Sequence, residues 1–136
     1  AVAGVNKALF RTKSRTRLAM EAWMAEWAEY YDNDRVVIMQ IPRSLCLDYK
    51  ATEADVEELS SLAALVAGTD CGVTLRELEG GRVKISLRTG PRVNATAVCA
   101  LLGGGGHAAA AGATISGSMK EAKQAVLQAI DMVVGE

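Results

Sequence analysis

One segment restricts the fold of this chain more than any other: four glycines, one histidine and four alanines fill positions 103–111, and Gly112 follows. Glycine loses more backbone entropy on folding than any other residue, so an ordered run of four needs a structural reason. Close approach of backbone N–H groups to an anion is such a reason, because successive amides can form a concave nest around phosphate oxygens. The alanines are strong helix formers. We therefore expect a helix over Ala108–Ala111, whose positive N-terminus adds to a phosphate site at the glycines.

His107 is the only histidine of the chain and lies where this loop meets the expected helix. Its imidazole can donate a hydrogen bond to a phosphate or a base, and histidine is the side chain whose charge ordinarily changes near neutral pH. The alternative is a flexible linker whose histidine only caps the helix, but such linkers more often contain serine. If a nest forms, Gly105→Val should disrupt it, because β-branched residues rarely adopt the positive φ that a nest requires. His107→Ala should then remove only a side chain and its pH dependence.

A β-hairpin is predicted before this loop, with strands at Val73–Leu78 and Arg82–Thr89 around a Gly80-Gly81 turn. Two adjacent glycines supply the positive φ of tight hairpin turns. On the second strand, apolar residues alternate with polar ones, which gives one apolar face and one face with hydroxyl and cationic groups. The polar face carries Lys84, Ser86 and Arg88.

Arg88 is the second candidate for anion binding, because a guanidinium can hold a phosphate through two parallel hydrogen bonds. Lys84 and Arg92 would enlarge the same positive patch. For these two residues the alternative is an ordinary solvated surface, since charged side chains are usually exposed.

The remaining patterns predict an α/β domain. Helices are expected at residues 15–31, 53–67, 93–102 and 118–134, and further strands at 36–41 and 113–116. Thr52 and Ser118 are each followed three residues later by an acid, which is the spacing of a capping box. Alternating helices and strands with one embedded hairpin favour a mixed β-sheet of about four to five strands, packed with helices in two or three layers.

Composition excludes several classes of protein. The net charge is −1 and the pI is about 5.9, whereas a general DNA-coating surface is usually basic, so any anion site must be local. The three cysteines are odd in number and widely spaced, which favours reduced thiols in a cytoplasmic protein. No apolar stretch approaches the roughly 20 residues of a membrane span, and no signal peptide is visible. We expect no membrane partner.

The sequence also lacks the residues of several catalytic centres. One histidine and three scattered cysteines cannot form an ordinary zinc site. Asp48, Asp55 and Asp70 have no histidine partners, so a two-metal hydrolytic centre has no visible ligands. Trp23 and Trp27, four residues apart on one helix, are interpreted as core or interface residues and not as a base-stacking platform. No catalytic residue is therefore expected in this chain.

Residues 83–115 resemble the C-terminal, DHH-associated domain of the DHH phosphoesterase family. This family includes RecJ-like exonucleases, oligoribonucleases that degrade very short RNA, and cyclic-dinucleotide phosphodiesterases. The chain is most similar to the branch of oligoribonucleases and 3′-phosphoadenosine 5′-phosphate phosphatases. The segments that carry the resemblance are Val83–Thr89, Val93-Asn94, the glycine–histidine loop with Ala110-Ala111-Gly112, and, for the link between the family's two domains, Asn6–Phe10 with Thr12–Ser14.

The resemblance implies a division of labour. In the family, an N-terminal domain with an Asp-His-His motif and aspartates holds two manganese ions, and the associated domain grips the substrate. No Asp-His-His motif occurs here, so Mn²⁺ is expected in a missing N-terminal DHH domain in cis, and no cofactor is expected in this chain. Ala108 and Ala109 stand at positions that vary among relatives. The resemblance implies substrate or phosphate binding by Gly104, Gly105, Gly106, His107, Arg88 and, more weakly, Ser86.

We therefore expect a linker and first helix in residues 1–30 and a DHH-associated substrate-binding domain in residues 31–136. The parent protein is expected to be a manganese-dependent phosphodiesterase that acts on short RNA or DNA or on a phosphorylated nucleotide, and this fragment alone is expected to be inactive. A homodimer is left open. The alternatives are a cyclic-dinucleotide phosphodiesterase, a RecJ-like single-strand exonuclease, and a nucleic-acid-binding module without hydrolytic activity, as at the end of alanyl-tRNA synthetases.

Overall fold

The apolar runs of the sequence form the centre of a six-stranded mixed β-sheet in the computed structural model, which describes residues 13–135. The strand order is β1-β2-β3-β4-β6-β5, and the parallel pair is β2 with β3. This confirms the predicted α/β class, with six strands where about four to five were expected. The strands are β1 (Glu29–Tyr31), β2 (Val36–Ile41), β3 (Cys71–Leu78), β4 (Arg82–Thr89), β5 (Gly105–His107) and β6 (Ala110–Ser116).

Within residues 13–135, five α-helices and one 3₁₀ helix (Leu62–Leu65) pack on the sheet. The α-helices are α1 (Arg15–Glu26), α2 (Arg43–Asp48), α3 (Glu53–Leu59), α4 (Ala95–Leu101) and α5 (Met119–Val134). Residues 1–12 lie outside the described range, and with them most of the link predicted from Asn6–Phe10 and Thr12–Ser14.

The two faces of the sheet have separate hydrophobic cores. Helices α4 and α5 cover one face, where the buried apolar side chains of β3 and β4 meet those of the helices. This first core includes Val73, Leu75, Ile85, Leu87, Val98 and Val126. The second core lies under α1, α2, α3 and the 3₁₀ helix, and it includes Met20, Met24, Val37, Met39, Val56 and Leu59.

The helical cover on the second face ends at β3. Gly72 of β3 lies directly under the 3₁₀ helix, since a Cβ there would come within 2.7 Å of the Ala63 backbone. The neighbouring Thr74 is buried and donates a hydrogen bond to the Ser60 carbonyl (3.0 Å). Lys84 and Arg88 of β4 are exposed. The side of the sheet formed by β4, β6 and β5 is therefore open on this face.

The predicted helix over Ala108–Ala111 is wrong. Ala108 and Ala109 form a two-residue turn, and Ala110 begins β6, which pairs with β4 along seven residues. A backbone ladder of that length outweighs the small intrinsic preference of alanine for the helix. The short strand predicted at residues 113–116 is accordingly extended to Ala110–Ser116. The predicted helix dipole at the loop is also lost.

Several predicted helix boundaries also change. The helix predicted at residues 15–31 ends at Glu26, and Glu29–Tyr31 pairs with β2 as a strand that was not predicted. The helix predicted at 53–67 divides into α3 and the 3₁₀ helix at Ser60, whose hydroxyl donates to the Val56 carbonyl (3.1 Å) and bends the chain away. Helix α2 was not predicted.

Helix α1 buries two methionines more deeply than it buries the neighbouring tryptophans. Met20 and Met24 are fully buried, whereas Trp27 is 61% exposed. Trp23 is packed against the second core, and its ring centroid lies 6.1 Å from that of Trp27. The pair therefore spans the edge of the core.

The cysteines carry free thiols, as predicted. Cys71 and Cys99 are buried in the first core and Cys46 is half-buried. Burial raises the pKa of the Cys71 thiol to about 12, so this thiol stays protonated at neutral pH. No helix in the described part of the chain combines the length and the apolar character that a bilayer crossing requires.

The capping box at the start of α5 gives a stability prediction. The Ser118 hydroxyl accepts from the Glu121 N–H (3.1 Å), and the Glu121 carboxylate accepts from the Ser118 N–H (3.0 Å). Ser118→Ala should lower the free energy of unfolding by about 1 kcal/mol, because the first turn of α5 loses its side-chain acceptor. Urea denaturation measures this change. Ser118→Asp keeps an acceptor and serves as the control, and equal stability of Ser118→Ala and wild type would contradict the prediction.

Candidate phosphate-binding face

Cross-strand pairing brings the sequence-predicted residues onto one surface. Arg88 of β4 pairs with Ala110 of β6, which in turn pairs with His107 of β5. Directly opposed residues of neighbouring strands turn their side chains to the same face. Arg88 and His107 therefore point to the same side of the sheet, with only the Ala110 methyl group between them.

A second row of the same pairs adds Ser86 and Gly105. Ser86 pairs with Gly112, and Gly112 pairs with Gly105. We call the uncovered surface made by these rows and the next one the open face. Its residues are Lys84, Ser86, Arg88, Gly105, His107, Ala110, Gly112 and Thr114.

The spacing across the open face suits a small anion. Neighbouring strands lie roughly 4.8 Å apart, so the Cα atoms of Arg88 and His107 are separated by about 10 Å. Both residues are exposed, and the side chain of Ala110, which lies between them in the sheet, is only a methyl group. Among residues 13–135, no carboxylate forms an ion pair with Arg88. The guanidinium is therefore available to an external acceptor.

The first two glycines of the loop end a helix and do not form an amide nest. The Gly103 N–H donates to the Ala100 carbonyl (3.2 Å), and the Gly104 N–H donates to the Cys99 carbonyl (2.8 Å). Gly103 has φ +81°, a conformation typical of the residue after a helix. These amides satisfy the C-terminus of α4 and are not available to a ligand.

Gly104 and Gly106 are required by close packing. A Cβ at Gly104 would lie 2.0 Å from the Gly112 carbonyl oxygen, and one at Gly106 would lie 2.6 Å from Ala111 Cα. Gly106 also has φ +151°, which side chains rarely allow. Gly105 has open space around its Cα and no positive φ. A substitution that disrupts the backbone is therefore expected at Gly106, and not at Gly105 as the sequence suggested.

Gly106 offers a backbone donor at the edge of the sheet. The Thr89 N–H donates to the Ala109 carbonyl (2.9 Å), so the odd-numbered residues of β6 exchange hydrogen bonds with β4. In an antiparallel sheet the N–H and C=O of one residue point to the same neighbouring strand. The odd-numbered residues of β6 therefore bond to β4 and form no backbone hydrogen bond with the β5 residues opposite them. Gly106 lies opposite Ala111, and its N–H consequently points away from the sheet, next to His107.

Charge is unevenly distributed around the open face. Arg76, which lies opposite Lys84, donates two hydrogen bonds to the Glu53 carboxylate (2.6 and 2.8 Å). These bonds to Arg76 hold the pKa of Glu53 below its ordinary value, and the charge of Lys84 adds to the same effect. The positive charge near Lys84 is therefore shared with an acid, whereas that of Arg88 is not.

Arg92 lies off the open face. It follows the end of β4 and lines a small cavity with Asp32 and Asp70. Arg92 therefore does not enlarge the positive patch around Arg88, contrary to the prediction. The cavity beside Arg88 is a different one: it has a volume of about 220 Å³ and is lined by Thr69, Asp70, Gly72 and Gly90, among others.

A larger surface cavity lies elsewhere. It has a volume of about 730 Å³ and is lined by Arg43, Glu77, Arg82 and Glu121, among others. Arg82 precedes Arg88 by six residues on β4, a distance of roughly 20 Å along a strand. Within residues 13–135, no group of three or more His, Cys, Asp or Glu side chains converges as a metal site.

Sequence reasoning missed the role of Ala110 and Gly112. Ala110 was assigned to a helix and Gly112 was given no role of its own, but both lie on β6 between the candidate binding residues. The signal that could have found them is the run of small residues itself, since glycine in a strand often marks a close approach of another group.

Comparison with known sequences identifies relatives. The sequence profile of the DHHA1 domain matches residues 33–136. NrnA of Thermus thermophilus, a bifunctional oligoribonuclease and PAP phosphatase, is 40% identical over 79 residues, which cover 57% of this chain and 24% of the relative. The chain thus matches about a quarter of that longer protein.

Two solved structures share the fold. An exopolyphosphatase-related protein from Bacteroides fragilis superposes with a TM-score of 0.86 at 20% identity, covering 99% of this chain and 40% of that one. PggH from Vibrio cholerae, a pGpG-specific phosphodiesterase, superposes with a TM-score of 0.57 at 11% identity, covering 89% and 40%. At these identities the likeness extends to the fold alone.

Close packing at Gly106 gives a prediction with a matched control. Gly106→Ala should displace the β5–β6 hairpin and lower the melting temperature, because its Cβ would overlap Ala111 at a strained φ. Gly105→Ala should leave the melting temperature within about 2 °C of wild type, because its Cβ enters open space. Calorimetry of the three proteins measures both changes. Equal destabilisation by the two substitutions would contradict this account.

Proposed function

This chain belongs to the DHHA1 domain family, and from this premise we propose that it is the substrate-binding domain of a DHH phosphodiesterase. The open face is proposed to bind a phosphate group of a nucleotide substrate. The observation that supports this most strongly is the placement of Arg88 and His107 on either side of Ala110 on one exposed surface.

The donors in this proposal are complementary to a phosphate dianion. Arg88 would supply two parallel charge-assisted hydrogen bonds, which are stronger than neutral ones. His107 would donate one bond from its ring, and the outward N–H of Gly106 another. Ser86 lies two residues before Arg88 on the same face and would reach a neighbouring hydroxyl or phosphate oxygen. Gly104 would act through packing and not through contact.

Hydrolysis is assigned to a separate domain. We propose that an upstream DHH domain in cis holds Mn²⁺, which would activate water and stabilise charge on the phosphate. The residues of this chain would contribute by orienting the substrate, and correct orientation alone can remove a large part of a reaction barrier.

A short oligoribonucleotide or 3′-phosphoadenosine 5′-phosphate is the proposed substrate. The support is the 40% identity over 79 residues to NrnA, whose name records activity on both. The matched region spans 24% of that protein, so the assignment concerns the whole enzyme. The free thiols support a cytoplasmic location, where cysteines stay reduced.

Arg88→Ala tests the binding site. It should weaken binding of 3′-phosphoadenosine 5′-phosphate by roughly 10- to 150-fold, since loss of a hydrogen bond to a charged group costs about 1.5–3 kcal/mol. Arg82→Ala removes the same charge from the other end of β4 and should bind as wild type does. Calorimetric titration measures the affinities, and urea denaturation checks that stability is unchanged. Equal affinities of Arg88→Ala and wild type would remove Arg88 from the site.

A second test addresses the division of labour. With added Mn²⁺, this 136-residue chain should release no mononucleotides from a short oligoribonucleotide, because its described residues form no cluster of metal ligands. Chromatography of the products measures release, with an intact DHH phosphodiesterase as the positive control. Turnover that survives repurification of the chain would show that the chemistry does not reside in another domain.

A further inference from the structure

The turn after His107 is held by hydrogen bonds from outside its own hairpin. The Ala108 carbonyl accepts from the Ala95 N–H (2.8 Å) and from the Thr89 hydroxyl (3.1 Å). The Ala109 carbonyl accepts from the Thr89 N–H (2.9 Å). Three donors therefore reach two consecutive carbonyls, and two of these donors belong to Thr89.

Strand β5 of this hairpin receives little support from apolar side chains. Strand β5 has three residues, all exposed, and lies at the edge of the sheet. No side chain of β5 is buried, so apolar packing cannot hold it in place. Short exposed edges with few buried contacts open readily by local fluctuation. Hydrogen bonds at the turn therefore act together with the β5–β6 pairing to hold His107 in position.

Thr89 links the two sides of the candidate site. It directly follows Arg88 on β4, and its bonded partners directly follow His107. We propose that Thr89 is a positioning residue, whose hydroxyl fixes the Ala108–Ala109 turn and thereby sets His107 relative to Arg88 for binding one phosphate group. This inference rests on the proposed function of the open face.

The chemistry of threonine suits this role. Its branched Cβ restricts rotation about χ1, so the hydroxyl is oriented before it bonds. The Ala108 carbonyl keeps the Ala95 N–H when the hydroxyl is removed. Loss of the hydroxyl should therefore loosen the hairpin without unfolding the domain, which makes the role separable from general stability.

Two substitutions at Thr89 and one elsewhere test the proposal. Thr89→Val keeps the shape but removes the donor, and Thr89→Ser keeps the donor. Thr16→Val is the matched control, because the Thr16 hydroxyl also donates to a backbone carbonyl, that of Tyr49 (3.5 Å), but Thr16 lies on α1, outside the open face. His107 is the only histidine, so its ring resonance reports on the site without ambiguity.

In Thr89→Val, we expect amide hydrogen exchange at His107 and Ala110 to accelerate roughly 3- to 10-fold, the effect of one net hydrogen bond. Exchange across β3 and β4 should stay unchanged, and the His107 ring resonance should shift. Affinity for 3′-phosphoadenosine 5′-phosphate should fall by a similar factor. Thr89→Ser should restore most of each property, and Thr16→Val should match wild type.

Unchanged exchange at the hairpin in Thr89→Val would overturn the proposal, as would equal acceleration throughout the sheet. Faster hairpin exchange with undiminished affinity would also overturn it, provided that Arg88→Ala does weaken binding. Failure of the proposed function is recognised separately, by wild-type affinity in Arg88→Ala.

Discussion

The antiparallel pairing of β4 with β6 is the interaction on which the candidate site depends. Its register aligns Arg88 with Ala110, and the continuing hairpin aligns Ala110 with His107. A shift of one residue would turn every side chain of β6 to the opposite face. The apolar residues of β6 oppose such a shift, because Ala113 is buried and Ala111 and Ile115 pack against the first core. Packing in the first core thus determines the spacing of Arg88 and His107, which lie on the opposite face of the sheet.

Small side chains make this arrangement possible. The backbone of the glycine loop approaches β6 so closely that a Cβ at Gly104 would lie 2.0 Å from the Gly112 oxygen. Ordering glycine costs backbone entropy. Here that cost is offset by the sheet hydrogen bonds of β5 and by the hydrogen bonds from Gly103 and Gly104 to the last carbonyls of α4. The glycines therefore act mainly through packing, and the one outward amide at Gly106 is a consequence of that geometry.

On the second face, the helices cover β2 and β3 but leave the polar side chains of β4, β6 and β5 uncovered. On the second face, helices and the 3₁₀ helix bury β2 and β3 but stop at Gly72 and Thr74. Beyond them, Arg88 projects without an acid partner in the described range, whereas Arg76 is bound to Glu53. A paired arginine contributes little to anion attraction, so the difference concentrates the available charge beside His107.

The sequence by itself determined the class of fold, the β3–β4 hairpin, both capping boxes and the identity of the candidate residues. Each depends on local signals: alternation on β4, the Gly80-Gly81 turn, and acids three residues after Thr52 and Ser118. The tertiary structure decided what local signals cannot specify. Residues 108–111 have the composition of a helix, but their pairing with β4 and β5 outweighs that preference. Only that long-range pairing determines which glycine is sterically required and places Thr89 against the turn beside His107, because hydrogen bonds between distant strands are not encoded in any one stretch of sequence.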